Sequence, residues 1–193
     1  MLFLFVFISC KNISRYSIDK SPLIKIDTSF LGIWKAVEDT NRMDYILVQN
    51  FDDVYSRVES KYKNDTYAFK ASKTKEFDYY ITRMNHSGIN PFYQQWSAFL
   101  SNVGKERILN ITYHDDKNEG YIFIRLIKMN GKKDTLTTTV IADTTLKYLK
   151  NSQQVKERVM KNIYKPSFYS DTLHFYKVSN YHLSINESIR KAN

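Results

Sequence analysis

From Phe30 onward apolar and polar residues alternate at period two, in short runs separated by clusters of Asn, Asp, Gly or Lys. This is the pattern of strands with one face on a core and the other in water. In the middle of the chain Val54, Val58 and Tyr62 oppose Tyr55, Arg57, Glu59 and Lys61. Tyr67, Phe69 and Ala71 then oppose Lys70 and Ser72, and Phe77, Tyr79 and Ile81 oppose Asp78 and Thr82. Three such runs in succession predict an antiparallel meander. Further strands are predicted over residues 30–38, 43–49, 96–102, 107–113, 120–128, 135–141 and 172–178, about ten in all. Val103-Gly104-Lys105 and Asn130-Gly131-Lys132 supply hairpin turns, because Gly and Asn tolerate the positive φ that tight turns require. So many short strands in sequence suit a closed barrel better than a sandwich of two halves.

One stretch, between residues 145 and 164, has helical spacing and a break near Asn151. Val155, Val159 and Ile163 recur every four residues, Gln154 stands three after a cap at Asn151, and Pro166 closes the segment. Its other face carries Lys156, Arg158 and Lys161. Two placements fit that pattern: a helix covering one end of the barrel, or a basic amphipathic helix on an anionic membrane. The predicted fold is mainly β, an antiparallel meander closed into a barrel with a helical segment before the last strand.

Composition adds to this picture in three ways. The 193 residues allow one domain with a core and are too few for two of ordinary size. Aromatic residues reach 15%, almost all Tyr and Phe, which favours pleated, half-buried surfaces. The formal charge is 29 − 20 = +9, so an anionic partner is electrostatically easy to bind, but the basic residues are dispersed and form no nucleic-acid arm.

Residues 2–8, LFLFVFI, form an apolar run that ends at Ser9-Cys10 and gives way to polar sequence from Lys11. A bilayer span needs about 20 apolar residues, so the run reads as the core of a secretory signal. Phe7-Ile8-Ser9-Cys10 resembles the bacterial lipobox, in which the cysteine becomes the lipidated mature N-terminus. That resemblance implies a signal peptide over residues 1–9, a lipid anchor on Cys10 with a tether to residue 28, a domain over 29–179 and a polar tail over 180–193. It also implies a place in the bacterial envelope. Lys11 rather than an acidic residue after the cysteine points to the outer membrane. Cys10 is the single cysteine, so no internal disulfide can form.

Gly32-Ile33-Trp34 on the first predicted strand, followed by a run of hairpins, resembles the lipocalin-like β-barrels. The resemblance implies that Trp34 closes the base of the barrel beneath a basic residue from a late strand. Lys177 stands on the last strand, where the family carries arginine, and the identity of that partner stays open.

Catalytic signatures are missing from the sequence. His86, His114, His174 and His182 are isolated from one another, which argues against zinc. His114-Asp115-Asp116 reads as a turn that Lys117 prevents from being a calcium loop. Asp52-Asp53 reads as a solvated turn between strands. No nucleophile elbow, phosphate loop or dinucleotide fingerprint occurs. The expected protein is therefore a non-catalytic envelope lipoprotein that needs no metal or cofactor and binds no nucleic acid. Two modes of action stay open: an apolar or amphiphilic small molecule held inside the barrel, or contacts with another envelope protein. Tyr67, Phe69, Phe77, Tyr79, Trp96, Tyr121 and Phe123 are the predicted inward aromatics, lining a ligand cavity or filling a solid core.

Overall fold

The computed structural model describes residues 13–37, 44–61, 77–85, 92–114, 119–130 and 135–179. The strands are β1 (Gly32–Ala36), β2 (Asp44–Asn50), β3 (Tyr79–Asn85), β4 (Phe92–Val103), β5 (Glu106–His114), β6 (Glu119–Asn130), β7 (Thr135–Ile141) and β8 (Tyr169–Ser179). Each pairs antiparallel with the next, and β1 pairs with β8 to close the barrel. Register shifts at Ile33/Trp34, Leu126/Lys128 and Thr139/Ile141 supply the bends that closing a twisted sheet requires. Gly104 takes φ +63° in the β4–β5 turn, the left-handed conformation that the sequence there anticipates. The second predicted turn, at Gly131, lies outside the described residues.

Eight of the ten predicted strands form. The run at residues 54–62 does not: Phe51–Lys61 is a helix, α1. Val54 and Val58 are four apart and satisfy a helix as well as a strand, and the start of the segment decides between them. The Asn50 side chain accepts the Asp52 N–H at 2.9 Å, and Asp52 and Asp53 then fall in the first turn, where carboxylates oppose the positive end of the helix dipole. These two aspartates are thus helix-starting residues rather than a turn between strands. The run at residues 67–71 lies outside the described residues.

The inward faces of the strands make one apolar core, including Trp34, Val48, Tyr79, Ile81, Leu100, Leu109, Ile111, Ile124, Leu126, Leu136 and Phe175. A second core lies outside the barrel. The helix α2 (Ser152–Asn162) and the 3₁₀ turn Thr144–Tyr148 before it lay Leu146, Val155, Val159 and Ile163 on the outward side chains Val103, Ile108, Phe123 and Ile141. The helix therefore covers the outer wall around β4 to β6 rather than an end. Its cap matches the sequence pattern: Asn151 Oδ1 accepts the Gln154 N–H at 2.9 Å. The break before it is the 3₁₀ turn, and Pro166 begins another, Pro166–Phe168.

The segment read as a tether is in large part a strap bound to this wall. Ser14 exchanges two backbone hydrogen bonds with Tyr121, at 3.0 and 2.7 Å, on the length of β6 above its pairing with β7. Glycine is required opposite, because a Cβ on Gly120 would overlap the Ser14 carbonyl oxygen. Ile18 is buried in the outer core, and Asp19 receives Lys156 of α2 at 2.7 Å. Fully buried Asn110 accepts the Ile18 N–H at 2.9 Å and donates to Ser101 Oγ and the Phe99 carbonyl. The sequence gives no periodicity here because the strap makes single contacts rather than a repeating face.

Candidate functional site

The strap ends beneath the barrel, where the 3₁₀ turn Thr28–Phe30 closes the base. Trp34 donates its indole N–H to the Phe30 carbonyl at 2.9 Å, and the Phe30 ring meets Tyr79 edge-on at 5.3 Å. Lys177 Nζ lies 5.0 Å from the Trp34 ring centre and donates to the Ser29 carbonyl at 2.7 Å. Lys177 thus takes the position over Trp34 that the sequence left open. The Tyr79 hydroxyl accepts the Asp27 N–H at 2.7 Å, and Arg107 pairs with the Asp27 carboxylate. Burial alone would raise the Asp27 pKa, but hydrogen bonds from Ser29 and Arg107 outweigh it and hold the carboxyl below its ordinary range. Burial pushes the Tyr79 phenol well above its ordinary range, so this hydroxyl stays neutral.

Above the base lies an apolar cavity of about 50 Å³, bounded by Phe30, Trp34, Val48, Trp96, Leu136, Phe175 and other inward residues. Pockets that enclose drug-sized ligands run to roughly 300–1,000 Å³, so most of the interior is filled. Arg83 brings the one ionisable group in that lining, and Thr138 a hydroxyl. Arg83 is 6% exposed. In register it stands opposite Gln94 of β4, whose Oε1 is buried with no hydrogen-bond partner among the described residues. A guanidinium in an apolar lining can take an anionic or hydrogen-bonding head group with a small apolar body, and the Gln94 oxygen can accept from a donor.

The aromatic residues predicted to face inward divide. Tyr79 and Trp96 point into the barrel, Tyr79 in the base and Trp96 on the cavity. Phe77 precedes β3 and packs on Phe51 of α1 at 5.6 Å, away from the cavity. Tyr121 and Phe123 face outward into the second core, one residue out of phase with the prediction, and Ile122, Ile124 and Leu126 take the inward places. The error is physical: α2 and the strap cover β6, so both of its faces are apolar and alternation no longer marks the inside. Tyr67, Phe69 and Cys10 lie outside the described residues. Arg83 was missed although its signal was present, since Tyr79, Ile81 and Arg83 continue one alternating face.

The carboxylate whose pKa is raised lies elsewhere. Burial, and then the charge of Asp52, push the Asp78 pKa from 3.8 up to about 6, and its Oδ2 is buried without a hydrogen-bond partner among the described residues. Because the folded value exceeds the unfolded one, the ionised group opposes folding above about pH 6, and stability rises as pH falls from there toward 4. Asp78→Asn is expected to raise stability near neutral pH by about 1–2 kcal/mol, allowing for screening of this half-exposed group. It should also flatten the gain in melting temperature on acidification; a variant that melts like the parent at every pH would refute this. Among the described residues no three His, Cys, Asp or Glu side chains converge on a metal position. No protein-family model, curated protein or solved structure matches this chain.

Proposed function

We propose that the chain is a lipid-anchored protein of the bacterial envelope, held through Cys10, whose barrel is a non-catalytic binding domain for a small amphiphile with an anionic head. The observation that carries the ligand class is the apolar cavity with Arg83 in its lining. Lipidation rests on the apolar run before Ser9-Cys10, and the outer membrane follows from Lys11. The ligand's anionic head meets Arg83, and its apolar part extends into the small empty volume beside Trp96.

Trp96 gives the test a reporter. Medium-chain carboxylates are expected to change its fluorescence saturably, and alcohols of the same chain length much more weakly. Arg83→Met should weaken carboxylate binding at least tenfold, about the worth of one charged hydrogen bond, while leaving the alcohols unaffected. Absence of a saturable signal with any of these would remove the small-molecule reading.

A second reading, an accessory protein that works through protein contacts, draws on the nearly filled interior and on the outward side chains of β8, β1 and β2, which no described element covers. Tyr176 and Val178 are exposed there, Tyr176 beside Lys35 and Ile33 beside Leu47 in register.

A further inference from the structure

We infer that the outward side of α2 and of the turn before it is a docking surface for an anionic bilayer, which holds the barrel in a fixed attitude on the membrane. The apolar stripe of α2 is already occupied by the barrel wall, so the side left outward should be polar. It is not purely so. Tyr148, Met160 and Tyr164 are 73, 52 and 70% exposed, three large apolar or amphipathic side chains on one short stretch of chain. Met160 stands on α2 about 100° round from Val159, and Tyr164 follows in the turn just past the helix's end.

The charges sort the same way. Lys156 and Arg158, on the flanks of α2, are matched by Asp19 and Asp143 at 2.7 and 2.6 Å. Over residues 144–168 the exposed lysines are Lys147, Lys150, Lys161 and Lys165, and Glu157 is the single exposed acidic residue. Lys147 lies over the Tyr148 ring at 4.9 Å, and the Tyr164 ring rests against Arg125 at 5.9 Å. Tyrosine and lysine together suit the boundary between head groups and acyl chains, where a ring buries its body and keeps its hydroxyl wet. Each lysine near an anionic surface contributes attraction that falls off within a Debye length.

The strap supplies the third observation, and here the inference rests on the lipid-anchor reading. Asp19 binds Lys156 of α2, and Ser14 is fixed to β6 on the same wall. Only Lys11 and Asn12 separate Ile13 from Cys10, a reach of at most about 11 Å. An anchor on Cys10 therefore enters the bilayer beside this wall and not beside the wall of β8.

The test uses the full chain with Cys10→Ser, which frees single engineered cysteines for labelling and carries no lipid. Tyr164→Cys and, as a reference on the outward side of β8, Val178→Cys are each labelled with a fluorophore and mixed with vesicles bearing a head-group quencher. With vesicles containing phosphatidylglycerol, quenching at position 164 should exceed that at 178 at least twofold. The excess should vanish with phosphatidylcholine alone, in high salt, and in a Lys147→Glu, Lys161→Glu, Lys165→Glu variant that melts normally. Equal quenching at the two positions, or none at 164 on anionic vesicles, overturns the inference; if the face instead binds an acidic protein, the vesicles give none. Failure of the anchor reading shows separately, as an unmodified Cys10 in the mass of the protein isolated from its own envelope.

Discussion

Trp34→Ala is expected to cost about 4 kcal/mol of stability, near the middle of the range for truncating a buried large aromatic. The indole is almost fully buried and acts in three ways at once. It fills the base under the inward faces of β1 and β8, it gives its N–H to Phe30, and it presents its face to Lys177. Alanine leaves a cavity between Phe30 and the core, an unmatched carbonyl, and a lysine whose stem has lost the ring it lies on. Trp34→Phe separates these terms: it keeps most of the packing and loses the hydrogen bond, so about 1–2 kcal/mol is expected. Urea denaturation reads both, as a lower midpoint with the slope retained. A cost below about 1 kcal/mol for alanine would mean that the base does not hold the barrel shut.

The second large effect is expected at Asn110, through the strap. Asn110→Ala should destabilise the protein by about 3 kcal/mol, because it leaves the Ile18 N–H and the Phe99 carbonyl buried and short of partners. The local signature is more telling than the global one. Arg15, Lys20 and Lys25 are exposed but lie on a strap that must detach before a protease can accept it in an extended form. In the variant, trypsin should cleave at these sites well before it degrades the barrel, and in the parent it should not. If parent and variant release the strap at the same rate, Asn110 is a packing residue and not the strap's fastening.

What could be read in advance follows from what each surface touches. β7 was legible to the residue, since Leu136, Thr138 and Val140 turn inward while Thr135 and Thr137 meet solvent more freely. The other strands and the Asn151 cap are legible from local alternation and capping chemistry, although α2 also dries parts of the outer faces of β4, β5 and β7. β6 was found but placed in the wrong phase, because α2 and the strap dry its outer face as well. In α1 the spacing was ambiguous, and a side-chain cap from Asn50 settled it. The strap was invisible as structure, since Ile18, Asp19 and Ser14 each meet a different partner and no period connects them. At the candidate site the inward placing of Trp96 is legible from its strand face, while that of Arg83 is not, because a charged residue on an inward face breaks the rule by which inward faces are recognised. That is the kind of exception a binding group makes.

The pairing of β1 with β8 has a consequence for how the chain folds. Lys35 meets Tyr176, 176 − 35 = 141 positions later, and Ser14 meets Tyr121, 121 − 14 = 107 positions later. Contacts this distant in sequence are slow to form, because the loop entropy is lost before the contact rewards it. No nascent fragment lacking β8 can shut the ring, so the sheet stays open-edged until β8 has been made. If the chain is exported as proposed, that delay would keep it open while it threads a translocation pore.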